Sequence, residues 1–449
     1  MMLMRYLPRF QAARRSLPCL ATRETWDRER ISAFQLDRLN RVWESSIESV
    51  PYYRRLKSEH RLPRQFETLE HFSDVVPTLA KGVVRSAPQE FLSSGRRVGS
   101  WHLTGGSTGV PMAVYWESDA HREMLQCKYR YEQKFGVDFF DKKVFLWGHS
   151  ASFAPGVKGW IKRRTQPTVD RLRNRLRRSA YQLGRKQLAE HLKAIAAFKP
   201  ASIYGYSSAV HLLATEAERL GFELPSLRLV TMTAEPADAS MRAFASASLK
   251  APSGIEYGSV ECGIMAFTDP DGRTRLREDV TYLETLPRDD GRYEIVVTVL
   301  NNHSFPLIRY RIEDLTDRPI NRQCDGFARL GEIEGRNNDF LLTRSGKPLH
   351  AIVLKHLFEA DPRIRRFQAK QASDGSLEIL LESEHHGIID AYETSRTRIA
   401  NLLEGYSVRL SRTDQIQGNL AGKHRWIVSD LGVAPQIANR PETDRAKNM

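Results

Sequence analysis

The chain has 449 residues, 41% of them hydrophobic, with 68 Lys and Arg against 54 Asp and Glu for a formal charge of +14. That much apolar material excludes a disordered tail or a basic peptide, and at ~100–200 residues per domain it predicts two or three domains. The excess charge is local: residues 1–64 carry 14 Lys and Arg against 7 acids, residues 157–186 carry 11 against Asp170 alone, and the remaining 355 residues sum to −3.

Cys19, Cys127, Cys262 and Cys324 lie far apart and form no CxxC pair, which predicts neither a zinc site nor a disulfide framework and fits a reducing, cytoplasmic setting. At the N-terminus, Arg5, Pro8, Arg9, Arg14 and Arg15 interrupt any signal-peptide core. The alternation of Met, Leu, Tyr and Phe with Arg there leaves a peripheral place at the inner membrane surface open. No window approaches ~18 uninterrupted apolar residues, so a spanning helix is not expected.

In chain order, residues 24–57 read as helix up to Pro51. Short apolar runs at 144–147, 203–206, 227–232 and 255–257 then read as buried strands, interleaved with helices at 118–135, 187–198, 208–220 and 238–249. This alternation predicts an α/β architecture with a largely parallel sheet. Strands at 294–300 and 306–310 follow. Past a hinge near 335–338 come a strand at 340–343, a helix at 350–359, strands at 365–371 and 377–382, and a helix at 388–403. The expected domains are 1–334, including an Arg-rich insert at 157–186, and an α+β unit over 335–434, with 435–449 as a polar, disordered tail.

The most informative stretch is Thr104-Gly105-Gly106-Ser107-Thr108-Gly109, preceded by Leu103 and followed by Val110-Pro111 and the apolar residues 112–116. Glycines let backbone N–H groups approach phosphate oxygens, and the hydroxyls add donors. No Lys-Ser/Thr pair follows the last glycine, so it is not a Walker A loop, and alone it also reads as a polar surface turn. Ala234-Glu235-Pro236 and Tyr257-Gly258-Ser259-Val260-Glu261 each end a predicted strand, where ligands bind in open α/β sheets, so their acids suit a metal or sugar hydroxyls. Arg309-Tyr310-Arg311-Ile312-Glu313-Asp314 sets an acid beside cations. Gly422-Lys423 puts a lysine in a glycine-flanked loop.

In this order and spacing the set resembles the adenylate-forming (AMP-binding) superfamily, specifically its phenylacetate-CoA ligase and CapK-like branch, over roughly residues 40–430. The resemblance implies a large multi-layered α/β domain of adenylate-forming type with a small mobile α+β lid. It implies ATP-dependent activation of a carboxylic acid to an acyl-adenylate, with Mg²⁺, and acyl transfer to CoA as co-substrate or to another acceptor. A link to capsular polysaccharide biosynthesis follows from the CapK-like members. By the same resemblance Thr104 to Gly109 would hold phosphates, Ala234-Glu235-Pro236 and Tyr257-Gly258 the adenine side, Glu261 the metal, and Asp314 the ribose. Arg336 would sit by the nucleotide at the hinge and Lys423 would be the catalytic lysine. Glu313 stands where the ribose motif has glycine, and Asn338 where the hinge has aspartate.

Two other readings compete. Gly148-His149-Ser150-Ala151-Ser152 is similar to a hydrolase nucleophile elbow except at its last position. Read as a helix, residues 157–186 place Arg171, Arg175 and Arg178 on one face. This suits solvent, an anionic membrane, a polyanionic glycan or the acceptor's phosphates; no aromatic platform accompanies the arginines, which disfavours nucleic acid. A non-enzymatic scaffold binding such a surface is the alternative function. His303, His385, His386 and His424 are not at metal-ligand spacing.

Overall fold

The computed structural model describes residues 8–104, 112–147, 168–180, 185–336, 340–345, 363–416 and 426–429, with short pieces between them. The chain divides into two compact units, one within Met1–Arg336 and one within Asn337–Ile416 and Arg425–Met449.

The first unit opens with helices α1 (Pro8–Arg23), α2 (Arg28–Ser49) and α3 (Pro51–His60). Asp27 caps α2, its carboxylate accepting from Arg30 N at 2.8 Å. The helical run over 24–57 breaks at Pro51 as expected: α2 stops at Ser49, and the proline then serves as the first residue of α3, where its missing N–H costs nothing and its fixed φ suits a helix start. Short helices α4 (Leu69–Val75) and α5 (Lys81–Ser86) follow, and then the hairpin β1 (Gly99–Leu103) and β2 (Ala113–Glu117).

After α6 (Ser118–Lys134) the chain builds the main sheet. Its strands are β3 (Lys143–Trp147), β4 (Arg175–Ser179), β5 (Ser202–Tyr206), β6 (Leu229–Thr233), β7 (Ser253–Ser259), β8 (Gly263–Thr268) and β9 (Thr274–Leu276). The order is β4-β3-β5-β6-β7-β8-β9, parallel through β7 and antiparallel beyond. Helices α7 (Arg185–Phe198), α8 (Ser207–Leu220) and α9 (Ala239–Leu249) connect the parallel strands. Val144, Ile203, Val230 and Met232 are fully buried, which is why these segments read as continuous apolar runs.

Strand β4 corrects the helix read through the arginines. Among the described residues of this stretch the chain is helical at 165 and over 168–172; it then pairs in parallel with β3, from Lys143↔Arg175 to Trp147↔Ser179. The Arg175 guanidinium lies over the Phe145 ring at 5.2 Å and Arg177 pairs with Asp170 at 2.8 Å, so two of the strand's arginines are engaged by neighbours. A charged edge strand also blocks further pairing.

A second sheet of the first unit is antiparallel, β10 (Thr281–Pro287), β11 (Tyr293–Val299), β12 (Tyr310–Thr316) and β13 (Ile333–Arg336) in that order. The strand read at 306–310 begins only at Tyr310. In the second unit, β14 (Phe340–Leu342) pairs with β15 (Pro348–His350), and β16 (Arg366–Gln371), β17 (Leu377–Glu382), β18 (Val408–Thr413) and β19 (Ile427–Ser429) form a sheet ordered β18-β17-β16-β19. The helix read over 388–403 is split at Tyr392 into α10 (Ile388–Ala391) and α11 (Glu393–Leu402). Most of the expected 350–359 helix and all of 435–449 lie outside the described residues. Among the described residues no helix is long and apolar enough to cross a membrane.

Candidate active site

Three segments follow the parallel strands at their carboxyl ends: Ser207-Ser208, which open α8 directly after β5, Ala234-Glu235-Pro236 after β6, and Val260-Glu261 after β7. Ala234 adopts φ +68°, a left-handed conformation that turns the chain sharply out of β6. Glu235 then faces α8, which has no capping side chain of its own. Its Oε2 accepts from Ser208 N at 2.8 Å and its carbonyl from Ser207 Oγ at 2.9 Å, placing a negative charge at the helix N-terminus. Glu256, on β7, accepts from Tyr204 OH at 2.6 Å and pairs with Lys128 at 2.9 Å.

Tyr257 and Asp314 meet between the two sheets. The Tyr257 hydroxyl donates to Asp314 Oδ2 at 2.9 Å, with both residues buried. A β-bulge aims the aspartate: β11 and β12 pair at Val296↔Arg311 and again at Glu294↔Leu315, so one residue of β11 faces three of β12. Glu313, inside the bulge, has φ +69°, the region that favours glycine. The departure noted in the sequence thus falls on the residue whose backbone a glycine would suit. Across β13, Asp314 is the register partner of Arg336, whose side chain is not among those described.

Glu261 sits in the turn between β7 and β8, 4% exposed. Its Oε1 lies 3.5 Å from Lys81 Nζ and 3.5 Å from Tyr310 OH. These spacings are at the outer limit of a hydrogen bond, so the carboxylate is accompanied without being saturated. Beside it, burial pushes the Cys262 thiol well up, Glu261 and Asp314 add to the effect and Lys81 opposes it, so both carboxylates and the ammonium act on one spot. The turn is tight: a Cβ on Gly258 would stand 2.5 Å from Gly263 O. The Trp116 indole donates to Val260 O at 2.8 Å, tying β2 to this turn.

Thr104 closes the neck of the glycine-rich loop: its N–H donates to Met112 O at 2.9 Å and its Oγ1 accepts from Met112 N at 2.8 Å, leaving the hydroxyl proton to give. Gly105, Gly106, Ser107, Thr108, Gly109, Ser150 and Lys423 lie outside the described residues. Tyr310 is fully buried, and Arg311 pairs with Glu294 at 2.9 Å. His303 Nδ1 contacts Ser45 Oγ at 3.0 Å, and burial lowers its pKa, consistent with a neutral ring bonded within the protein.

Sequence reasoning missed Lys81. A lone lysine opening a short helix has no motif around it, and only the fold brings it to Glu261. For a metal, no group of three or more His, Cys, Asp or Glu among the described residues could enclose an ion. One unsaturated carboxylate suits Mg²⁺, which is commonly held by one or two carboxylates plus substrate phosphates.

No family model matches the chain. Protein CapK of Staphylococcus aureus is 27% identical over 247 residues, a match spanning 54% of either chain and so about half the length of that relative. Phenylacetate-coenzyme A ligase of Aromatoleum evansii is 25% identical over 387 residues, covering 80% of this chain and 82% of the relative; the Escherichia coli K12 enzyme of that name is 26% identical over 338 residues, 72% and 74%. Among solved structures, 2-hydroxyisobutyryl-CoA ligase in the postadenylation state superposes with a TM-score of 0.70 at 19% identity over 91% of both chains. That likeness shows the fold. Together the sequence relatives and the fold support the adenylate-forming superfamily and, within it, the branch that holds the phenylacetate-CoA ligases and CapK.

Proposed function

We propose that this protein is an AMP-forming acid–thiol ligase. It activates a carboxylic acid with ATP and passes the acyl group to a thiol, CoA being the acceptor named for its ligase relatives. The observation that carries the reading is the Tyr257–Asp314 bond built by the β12 bulge beside the Glu261 turn, an oxygen-rich, net negative corner at the ends of parallel strands.

In this reading an oxygen of the acid attacks the α-phosphorus of ATP, and the bond to the pyrophosphate oxygen breaks with its electron pair. The thiol sulfur then attacks the acyl carbon, AMP departs with the electrons of the mixed-anhydride bond, and the thiol proton passes to solvent. Asp314 accepts the ribose hydroxyls, while Tyr257 and the Ala234-Glu235-Pro236 turn flank the adenine. The Thr104–Gly109 loop holds the pyrophosphate, Arg336 lies by the nucleotide, and Lys423 neutralises the α-phosphate. Glu261 would hold Mg²⁺, which when bound neutralises phosphate charge as pyrophosphate leaves. The rest of the work is positioning. A pyrophosphate-release screen across carboxylic acids, with and without CoA, tests the proposal: acid-dependent release with AMP as co-product supports it, and release that ignores the acid contradicts it.

A link to surface-polysaccharide chemistry is the finer part of the proposal and rests on the resemblance to the CapK-like branch alone. The second reading, a scaffold bound to an anionic membrane or polyanionic glycan, is favoured among the described residues by exposed Arg171 and Arg173 beside β4. Salt-sensitive retention on anionic liposomes without any acid-dependent pyrophosphate release would support it.

A further inference from the structure

Lys81 Nζ and Glu261 Oε1 lie 3.5 Å apart with side chains only 12% and 3% exposed. The fold builds this meeting. Leu79 bridges to Tyr310 in parallel, its N–H donating to Arg309 O at 2.7 Å and its carbonyl accepting from Arg311 N at 2.9 Å. The first residue of α5 therefore arrives beside the strand whose tyrosine also faces Glu261. A cation in the first turn of a helix stands at the unfavourable end of the backbone dipole, so α5 itself gives no reason for a lysine there. Burying an ammonium is costly unless it is paired, and Glu261 is the partner.

The nearest approach of both Lys81 and Tyr310 is to Oε1, and no hydrogen bond to Oε2 is formed among the described residues. A carboxylate held by one oxygen in a fixed orientation, with the other open, is how a metal ligand is oriented by its neighbours.

We propose that Lys81 is a positioning residue for divalent-metal binding: its ammonium fixes the Glu261 carboxylate through Oε1 so that Oε2 meets the metal that arrives with ATP. This rests on reading Glu261 as the metal ligand.

The test measures Mn²⁺ binding by electron paramagnetic resonance, in the presence of an ATP analogue with a methylene bridge between the α and β phosphorus atoms, so that no turnover is needed. Lys81→Met raises the Mn²⁺ concentration for half-saturation about tenfold or more; Lys81→Arg restores most of the affinity; and in a Glu261→Gln background Lys81→Met adds nothing. Unchanged half-saturation in Lys81→Met, or an equal loss in the Glu261→Gln background, overturns the proposal. If Glu261→Gln itself binds Mn²⁺ like the wild type, the metal-ligand reading fails instead. Should Lys81→Met not fold, Lys81→Gln carries the same comparison.

Discussion

The Tyr257 hydroxyl bonds Asp314 Oδ2 at 2.9 Å, joining the last parallel strand of the main sheet to the bulged strand of the antiparallel one. A hydrogen bond to a buried carboxylate is worth about 1.5–3 kcal/mol. Tyr257→Phe is therefore expected to lower urea-unfolding stability by about that amount. Asp314→Asn is expected to weaken ATP binding about tenfold or more by calorimetry, since a ribose bond to a charged acceptor has similar worth.

Glu313 supplies a cleaner test of backbone strain. At φ +69° a side chain costs about 1 kcal/mol relative to glycine, and a β-branched one costs more. Glu313→Gly should hold or raise the melting temperature, whereas Glu313→Val should lower it. A fall with glycine would mean that the carboxylate contributes more than its backbone costs.

The alternation of apolar runs and helices carried the main sheet, because strands buried on both faces must be apolar throughout. β5 to β7 and α6 to α9 lie within a few residues of where the pattern puts them. The β4 strand was not legible: its pairing with β3 is non-local, and Arg175 and Arg177 find partners only in the fold. Tyr257, Asp314 and Glu261 stood out in the sequence as a motif set. Lys81 did not, since its role depends on Leu79 bridging to Tyr310.

Glu235 separates two roles for one residue. Because it caps α8 through Ser208 N, Glu235→Ala should cost about 1 kcal/mol and raise amide exchange over 207–210. Unchanged exchange with weakened ATP binding would instead assign it to the nucleotide alone.

The thiols should divide by burial. Desolvation raises the pKa of Cys127 and Cys262, so both stay protonated at neutral and mildly alkaline pH, while Cys19 is exposed and open to a reagent from solvent. Native labelling with a disulfide reagent at pH 8 should modify Cys19 rapidly and leave Cys127 and Cys262 unmodified until denaturant is added. Rapid modification of Cys262 would contradict the closed packing around Glu261.

The reaction itself is tested most directly by isotope transfer. With an acid that supports pyrophosphate release and carries ¹⁸O in its carboxylate, the acyl-adenylate route places one labelled oxygen in each AMP formed once the acyl group has moved to the thiol. Unlabelled AMP, or ADP and labelled inorganic phosphate in its place, would contradict adenylate formation by this protein.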